Sequence, residues 1–404
     1  MSRAHLPSLL LLPSPPEPAT RASLNAAYRR PLEAALGKLK NPTRATTLIV
    51  VVALPVLGGS TPRSRTLSWA DTQSLLAGLY TIISVVCAKL AIDTDVNGGP
   101  GVVDARVVLV HDDPAASAVG SQPPPLIEPN NTVIVDLPTF ASASQAWNYI
   151  FHVESEGGLE LERRYLELTT AGGAQTVLEE QLVPVDMGLK MTTEPASGVL
   201  SVQTPLHRSV ILGGTFDHLH PGHKLLLAAG ALLLDVPEPG SSTPCRYTIG
   251  VTGDELLRNK KYAEYVQPWA ERARNILDFL GTVLSLPRPS PDDGGRPQVE
   301  ERPGDFRASF RGGLIAVQCV VIHDVYGPTI TDEDITALVV SGETRSGGAA
   351  VNDKRAEQGW HLLDVFEVDV LDAEEVAEGP TQTENFASKI SSTAIRQLKA
   401  QHRS

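Results

Sequence analysis

Cysteine and basic residues are both scarce in this sequence. Only three cysteines occur among 404 residues, far apart and without a C-x-x-C pair, so neither a disulfide scaffold nor a zinc site is expected. Such a chain fits a reducing intracellular compartment. The 34 lysines and arginines are outnumbered by 47 acidic residues, which gives a net charge of −13. This balance argues against general nucleic-acid binding and predicts local clusters of cations wherever an anionic substrate binds.

The sequence also has few long hydrophobic runs. The run at 9–12 is too short for the core of a signal peptide, and the run at 48–57 is too short to cross a bilayer. The stretch 74–92 contains polar residues and is expected to be a buried helix, so we expect no transmembrane segment. The first forty residues carry more basic than acidic side chains. A mitochondrial presequence is therefore the alternative to a cytosolic location.

The length of the chain suggests two domains. Residues 1–200 are expected to form a smaller α/β domain of unknown role. Its predicted strands are 48–54, 106–111 and 132–137, and its predicted helices are 22–40 and 70–92. Residues 206–404 show alternating strand and helix patterns, which predict a Rossmann-like parallel sheet covered by helices.

The predicted strands of this second domain are 209–212, 247–252, 314–323, 337–341 and 361–370. The predicted helices are 223–234, 268–284, 349–358 and 392–401, with Pro268 in the first turn of its helix. Residues 237–244 and 287–304 are rich in proline and glycine, and they are expected to form surface inserts.

The most informative segment follows the strand predicted at 209–212. It reads Gly213-Gly214-Thr215-Phe216-Asp217-His218-Leu219-His220-Pro221-Gly222-His223. The glycines allow close approach of a ligand to the backbone, and the proline opens a helix whose N-terminus attracts an anion. His220 and His223 flank that position. Because ligands of open α/β sheets bind beyond the carboxyl ends of the strands, this loop is expected to hold a nucleoside triphosphate. Three further polar segments are expected to face it: 254–261, 342–348 and 389–396.

The H-x-G-H sequence after G-G-T-F-D resembles the signature of the nucleotidyltransferase superfamily, whose members transfer AMP or CMP from a triphosphate. The blocks G-V-T-G-D-E-L-L, V-Q-P-W-A-E-R, D-V-Y-G-P, L-V-V-S-G-E-T-R-S-G-G-A-A-V-N and I-S-S-T-A-I-R-Q extend the match. Over about residues 206–402 the chain resembles the eukaryotic phosphopantetheine adenylyltransferase family. The resemblance implies transfer of AMP from ATP to 4′-phosphopantetheine, giving dephospho-CoA and pyrophosphate in coenzyme A biosynthesis.

No G-x-x-x-x-G-K-[ST] sequence occurs in the chain. The dephospho-CoA kinase domain of the fused CoA synthase is therefore expected to be absent. A separate dephospho-CoA kinase is the partner that this implies. The region before the adenylyltransferase domain is expected to stabilise it or to recruit the next enzyme.

The resemblance also implies roles for individual residues. His223 is expected to contact the α-phosphate of ATP, and His220 the neighbouring triphosphate oxygens. A catalytic lysine after the second strand, Lys260 or Lys261, is expected to bridge the nucleophile and the α-phosphate, with Lys260 preferred. Thr215 and Lys261 are expected to contact the substrate. The other expected ATP contacts are Gly214, Thr215, Phe216, Arg345, Ser391, Ser392, Thr393 and Arg396. The hydroxyls at 391–393 are read either as the N-cap of the last helix or as triphosphate ligands, and both roles can hold together. Magnesium is expected to arrive with ATP and to need no protein ligand.

Two alternatives remain. I-S-S-T-x-I-R, G-G-T-F-D and H-x-G-H also resemble nicotinate or nicotinamide mononucleotide adenylyltransferase. A non-catalytic binding protein of the same fold is the other alternative, and it is disfavoured because the histidine pair, the lysine and the final hydroxyl motif are intact. Within the main hypothesis, a cytidylyltransferase is disfavoured by the V-V-S-G-E-T-R-S-G-G block.

Overall fold

A computed structural model describes most of the chain. The described residues are 6–41, 43–58, 65–95, 99–113, 130–142, 146–171, 177–188, 203–285, 299–369, 371 and 391–402. They form two β-sheets with helices packed on them, so the predicted α/β fold class is confirmed. The partition into two domains at about residue 200 remains a prediction.

The first sheet is parallel throughout and has the order β4-β3-β2-β1-β5-β6. Its strands are β1 (Ser8–Leu12), β2 (Thr46–Leu54), β3 (Val103–His111), β4 (Val135–Asp136), β5 (Ile150–Val153) and β6 (Leu182–Val185). Its helices are α1 (Arg21–Leu39), α2 (Trp69–Lys89), α3 (Leu137–Ala141) and α4 (Glu156–Ala171). The side chains of Leu9 to Leu12 are fully buried. A short run of apolar residues without alternation is typical of a parallel strand covered on both faces.

The second sheet has the order β13-β12-β7-β8-β11-β10-β9. Its strands are β7 (Ser209–Gly214), β8 (Cys245–Thr252), β9 (Val299–Arg302), β10 (Asp305–Phe310), β11 (Ile315–Ile322), β12 (Ala337–Ser341) and β13 (Asp364–Val368). Its helices are α5 (Pro221–Ala231), α6 (Trp269–Leu284), α7 (Arg345–Glu357) and α8 (Ser392–His402). The five strands predicted from the sequence are all present and parallel to one another.

The hairpin formed by β9 and β10 was not predicted, and it makes the second sheet mixed. Both strands pair antiparallel, β10 with β11 and β9 with β10. Part of the expected surface insert at 287–304 is therefore strand, while residues 286–298 lie outside the described part of the chain. Phe306, Ala308 and Phe310 are buried and alternate with more exposed residues. This period of two is the sequence signal of a strand with one solvated face.

Three other predictions need correction. The strand predicted at 132–137 is reduced to two residues, because Asp136 accepts a hydrogen bond from the backbone N–H of Thr139 at 2.8 Å and so caps α3. Helix α7 begins at Arg345, four residues before its predicted start. Pro268 is the N-cap residue of α6 and does not lie in its first turn.

The two sheets share one hydrophobic core. A single cluster of buried apolar side chains includes residues of β1 and β2 together with residues of β7 and β8. Helix α2 packs against α5, and the indole of Trp69 donates a hydrogen bond to the carbonyl of Ala229 at 2.8 Å. By length and composition alone α2 could cross a membrane, yet 78% of its most apolar window is buried inside the protein. It is therefore packed as a buried core helix, which is what the sequence predicted for residues 74–92.

Candidate active site

The candidate site lies where the strand order of the second sheet reverses. Strand β7 lies between β8, the next strand in the chain, and β12, which comes much later. The loops after β7 and β12 therefore leave the same edge of the sheet in opposite directions. Crevices at such reversal points are the usual ligand sites of doubly wound sheets. The G-G-T-F-D-H-L-H-P-G-H segment occupies this position, as predicted.

The backbone of this loop is strained at two positions. Phe216 has φ of 52° and His218 has φ of 49°, so both occupy the left-handed region that non-glycine residues avoid. Each costs on the order of 1–3 kcal/mol, and such conformations persist only where the surroundings hold them. Both side chains are buried, at 0% and 1% exposure. The ring of Phe216 lies beneath His223, with centroids 5.3 Å apart.

The two motif histidines form a stacked pair at the start of α5. His220 is the N-cap residue and Pro221 takes the first helical position. The imidazole centroids are 3.9 Å apart with an interplanar angle of 25°. Each Nδ1 atom is enclosed and has no hydrogen-bond partner among the described residues. Because native proteins leave few enclosed polar atoms unpaired, two of them at a helix N-terminus indicate a place made for a ligand.

Both histidines are neutral at physiological pH. Burial, reinforced by the charges of Lys224 and His218, lowers the pKa of His220 to about 3. Burial and the neighbouring His220, His218 and Arg272 lower the pKa of His223 well below its ordinary value. Neutral rings still carry one N–H each, so the pair can donate hydrogen bonds to phosphate oxygens.

The final helix is tied to the motif through Asp217. This carboxylate is fully buried, forms an ion pair with Arg396 and accepts a hydrogen bond from the backbone of Gln267 at 2.9 Å. The hydroxyl of Ser392 donates to the Asp217 carbonyl at 2.7 Å, and Arg396 also donates to the carbonyl of Lys261 at 3.0 Å. Residues 391–396 of the I-S-S-T-A-I-R segment are therefore brought to the loop, as the sequence predicted.

Within that segment, the predicted phosphate ligands make protein contacts. Arg396 is only 3% exposed, and its third nitrogen donates to the hydroxyl of Thr393 at 3.0 Å. Ser391 caps α8, because its hydroxyl accepts the backbone N–H of Ala394 at 3.2 Å. Phosphate binding by these residues stays a prediction.

Arg272 holds the loop from the opposite side, a role that sequence reasoning missed. Its guanidinium is fully buried and donates to the carbonyls of Thr215 at 2.6 Å and Thr252 at 2.8 Å. It also forms an ion pair with Asp254 at 2.6 Å. One side chain therefore joins the ends of β7 and β8 to α6. The V-Q-P-W-A-E-R block, which contains Arg272, was the available signal.

The remaining predicted cations are exposed. Lys260 and Lys261 follow β8, and both side chains face solvent, so the choice between them stays open. Arg345 begins α7 after β12, where its guanidinium pairs with both oxygens of Glu367 on β13, each at 2.5 Å. Among the described contacts, none joins Arg345 to the histidine pair. Its approach to ATP would require it to leave Glu367.

The neutral histidines predict a specific dependence of stability on pH. The unfolded chain binds protons at these residues with pKa near 6.5, whereas folded His220 binds one only near 3. Between those values the unfolded state holds more protons, so the free energy of unfolding falls as pH falls. We expect a His220→Gln variant to lose less stability than the native protein between pH 7 and pH 5, by about 1–2 kcal/mol.

Urea unfolding at both pH values measures this difference. A His361→Gln variant is the matched control, because His361 is exposed and lies away from the loop. Equal losses of stability in all three proteins would contradict the neutral state of His220.

Known proteins resemble this chain over about half of its length. Residues 1–191 match a family described as "Domain of unknown function (DUF8446)". The phosphopantetheine adenylyltransferase of Saccharomyces cerevisiae is 35% identical over 187 residues, which cover 46% of this chain and 47% of that protein. The phosphopantetheine adenylyltransferase of Methanopyrus kandleri is 31% identical over 191 residues, which cover 44% of this chain and 97% of that protein. A solved structure of a protein with unknown function from Archaeoglobus fulgidus is 30% identical, covers 40% of this chain and 89% of that chain, and has a TM-score of 0.27.

The sheet, its helices and these relatives together place the chain in the nucleotidyltransferase superfamily. More narrowly, the chain belongs to the phosphopantetheine adenylyltransferase family. The chain spans about half the length of the yeast relative.

Proposed function

We propose that this protein transfers AMP from ATP to 4′-phosphopantetheine, giving dephospho-CoA and pyrophosphate. The names of its relatives in yeast and archaea support this reaction. The observation that carries the proposal is the stacked pair His220 and His223 at the N-terminus of α5, with an enclosed and unpaired nitrogen on each ring. A helix N-terminus beside two neutral donors is suited to the phosphates of a nucleotide.

The chemistry that this site must perform is modest. A phosphate monoester is already a charged nucleophile at neutral pH, so the reaction needs neither a protein base nor a covalent intermediate. Phosphoryl and nucleotidyl transfer depend mainly on positioning and on stabilisation of charge at the phosphorus. In this proposal His223 donates to the α-phosphate as the new bond forms, and His220 binds an adjacent oxygen. Lys260 or Lys261, both exposed after β8, supplies the positive charge between nucleophile and α-phosphate.

Magnesium enters the proposal as the partner of ATP. Mg²⁺ keeps several waters and is commonly bound through substrate phosphates. The ion would therefore be coordinated by triphosphate oxygens and water, and it would neutralise charge on the leaving pyrophosphate.

The location and the next step belong to the same proposal. Cys87, Cys245 and Cys319 are free and buried, which suits a reducing compartment such as the cytosol. Dephospho-CoA would then pass to a separate kinase, which would complete coenzyme A.

Adenylyl transfer to nicotinamide or nicotinate mononucleotide is the second candidate. Ser392 and Arg396 both contact Asp217 of the G-G-T-F-D motif. Both families resemble this chain in the motifs that contain these residues, so this contact supports the two candidates equally. Names of relatives favour phosphopantetheine.

The decisive experiment offers both acceptors to the same enzyme. Pyrophosphate release by the purified full chain would be measured with Mg²⁺ and ATP, adding 4′-phosphopantetheine, nicotinamide mononucleotide or neither. Release with phosphopantetheine alone is expected. Release only with the mononucleotide would move the protein to the second candidate, and release with CTP in place of ATP would make it a cytidylyltransferase. Silence with every acceptor would support a non-catalytic binding protein.

A further inference from the structure

The N-terminal half contributes a buried carboxylate to the loop that carries the H-x-G-H motif. Asp95 follows α2 and is fully buried. Its Oδ2 atom lies 3.0 Å from Nδ1 of His218 and 2.6 Å from Nζ of Lys399 on α8. Asp95, 123 positions before His218, and Lys399, 181 positions after it, therefore meet at this histidine.

The His218 ring is fixed by acceptors on both nitrogens. While Nδ1 faces Asp95, Nε2 lies 2.9 Å from the carbonyl oxygen of Tyr265. The backbone N–H of His218 donates to the side chain of Gln267 at 2.8 Å. Both ring nitrogens face acceptors, an arrangement that favours the protonated ring, while the Lys399 ammonium also lies 3.4 Å from Nδ1. These contacts also hold His218 at its positive φ, two residues before His220.

The charges around His218 are consistent with this protonation. Burial alone would lower the pKa of His218, but the hydrogen bond and charge of Asp95, the charge of Asp217 and the Tyr265 carbonyl raise it above its ordinary value. Burial alone would raise the pKa of Asp95, but His218 and Lys399 lower it to about 2. When protonated, His218 in turn lowers the pKa of both His220 and His223.

The far side of the motif is also anchored in the N-terminal half. Lys224 directly follows His223 and is only 1% exposed. Its ammonium forms an ion pair with Asp104 on β3 and donates to the carbonyl of Ala105 at 3.0 Å. Asp104 also accepts a hydrogen bond from Arg106 at 2.8 Å. The first turn of α5 is therefore held by the first sheet.

We propose that Asp95 is a positioning residue of the active site, which acts through His218 to hold the H-x-G-H loop in its reactive conformation. This inference rests on the proposed function for its kinetic consequence. The contact itself is independent of the substrate. It assigns to the N-terminal half a direct part in arranging the histidine pair, beyond covering the hydrophobic face of α5.

Replacement of Asp95 by asparagine tests the proposal. The change keeps the size of the side chain and removes its charge, so the His218 ring loses the nearer of its two neighbouring carboxylates and the loop loses an anchor. Small displacements of reacting groups cost about 100-fold in rate. We expect kcat, normalised to the number of ATP-binding sites, to fall roughly 10- to 100-fold, with a smaller change in KM for ATP. Asp112→Asn is the matched control, because Asp112 is a buried carboxylate of the same half that pairs with Arg164 at 2.6 Å.

A double-mutant cycle separates positioning from general stability. Asparagine tolerates a positive φ, so His218→Asn preserves the backbone while removing the ring. If Asp95 acts through His218, the Asp95→Asn change costs little further activity in the His218→Asn protein. If the fold-loss of kcat in the double variant equals the product of the losses in the two single variants, the proposal is overturned.

Hydrogen exchange gives a readout that does not depend on activity. We expect faster exchange of the backbone amides at 217–224 in Asp95→Asn than in Asp112→Asn, with equal exchange in the strands of both sheets. If Asp95→Asn does not fold, Lys399→Gln removes one partner of Asp95 from a partly exposed position and should accelerate the same amides. If a folded Asp95→Asn or Lys399→Gln variant shows unchanged exchange at the amides of 217–224, the inference is overturned, even when that variant is inactive. Failure of the native protein to release pyrophosphate would instead count against the proposed function.

Discussion

A His223→Ala variant is expected to lose pyrophosphate release with phosphopantetheine by roughly 100- to 1,000-fold in kcat, the range found when one preorganised donor to developing charge is removed. The reason is the position of the ring at the N-terminus of α5, stacked on His220 and lying above Phe216. In the proposed reaction this ring donates to the α-phosphate oxygens, where charge increases as the new bond forms, so the loss is expected mainly in kcat. Binding of ATP should weaken less, because the helix N-terminus and the positively charged side chains that follow β8 remain.

Steady-state kinetics and calorimetric ATP binding on the same preparations measure the two effects. The matched control is His361→Ala, an exposed histidine of the same half before β13, which should keep native rates. A His223→Ala enzyme with near-native kcat and a large rise in KM would show that the ring only binds ATP. Near-native values of both parameters would remove His223 from the mechanism.

The local part of this site was predictable from the sequence. A strand that ends in two glycines and a helix that begins at proline are short-range features, and they placed Gly214, His220 and His223 correctly at the edge of the sheet. The five parallel strands followed from apolar runs of the same local kind. The alternation of Phe306, Ala308 and Phe310 was equally local. That strand was missed because the proline-rich residues before it favoured an insert.

The long-range part could not be predicted from one sequence. Lys224 stands in a stretch that predicts a helix, and nothing near it shows that its partner is Asp104, 120 residues earlier. The same holds for Asp217 and Arg396, 179 residues apart. An ion pair of this kind depends on which chain segments the fold brings together. The resemblance implied that Arg396 contacts ATP, which stays a prediction, and nothing in the sequence indicated that this residue pairs with a buried carboxylate.

Two further arginines, Arg106 and Arg311, connect the two halves of the chain. Arg106 on β3 pairs with Asp278 on α6 at 2.5 Å and donates to Thr282 at 2.8 Å. Arg311 donates to the carbonyl of Thr132 at 2.8 Å and to that of Val133. A buried cation left without its partner costs several kcal/mol. Through Asp104 the first half neutralises the buried Lys224 ammonium of the second half, in addition to covering α5.

The archaeal relative sets a useful contrast. About 97% of the Methanopyrus protein is covered by a match that takes up 44% of this chain, so more than half of this chain has no counterpart there. A compact enzyme of this family can therefore exist without the additional residues. In this chain, Lys224 and the α5 surface against α2 are adapted to a neighbour that supplies Asp104 and Trp69.

Removal of residues 1–202 is therefore expected to yield an insoluble or inactive protein. A chain beginning at Gln203 would expose the apolar face of α5 that α2 covers, and it would leave Lys224 and His218 without Asp104 and Asp95. Exposed apolar surface of this extent favours aggregation, and unpaired buried charges disfavour the folded state. Soluble yield, thermal unfolding and pyrophosphate release, compared with the full chain, measure the effect. Co-expression of residues 1–202 as a separate chain should restore solubility, because the contacts between the halves are non-covalent. A soluble chain from Gln203 with the kcat/KM of the full protein would show that the first half serves another purpose, such as recruiting the next enzyme.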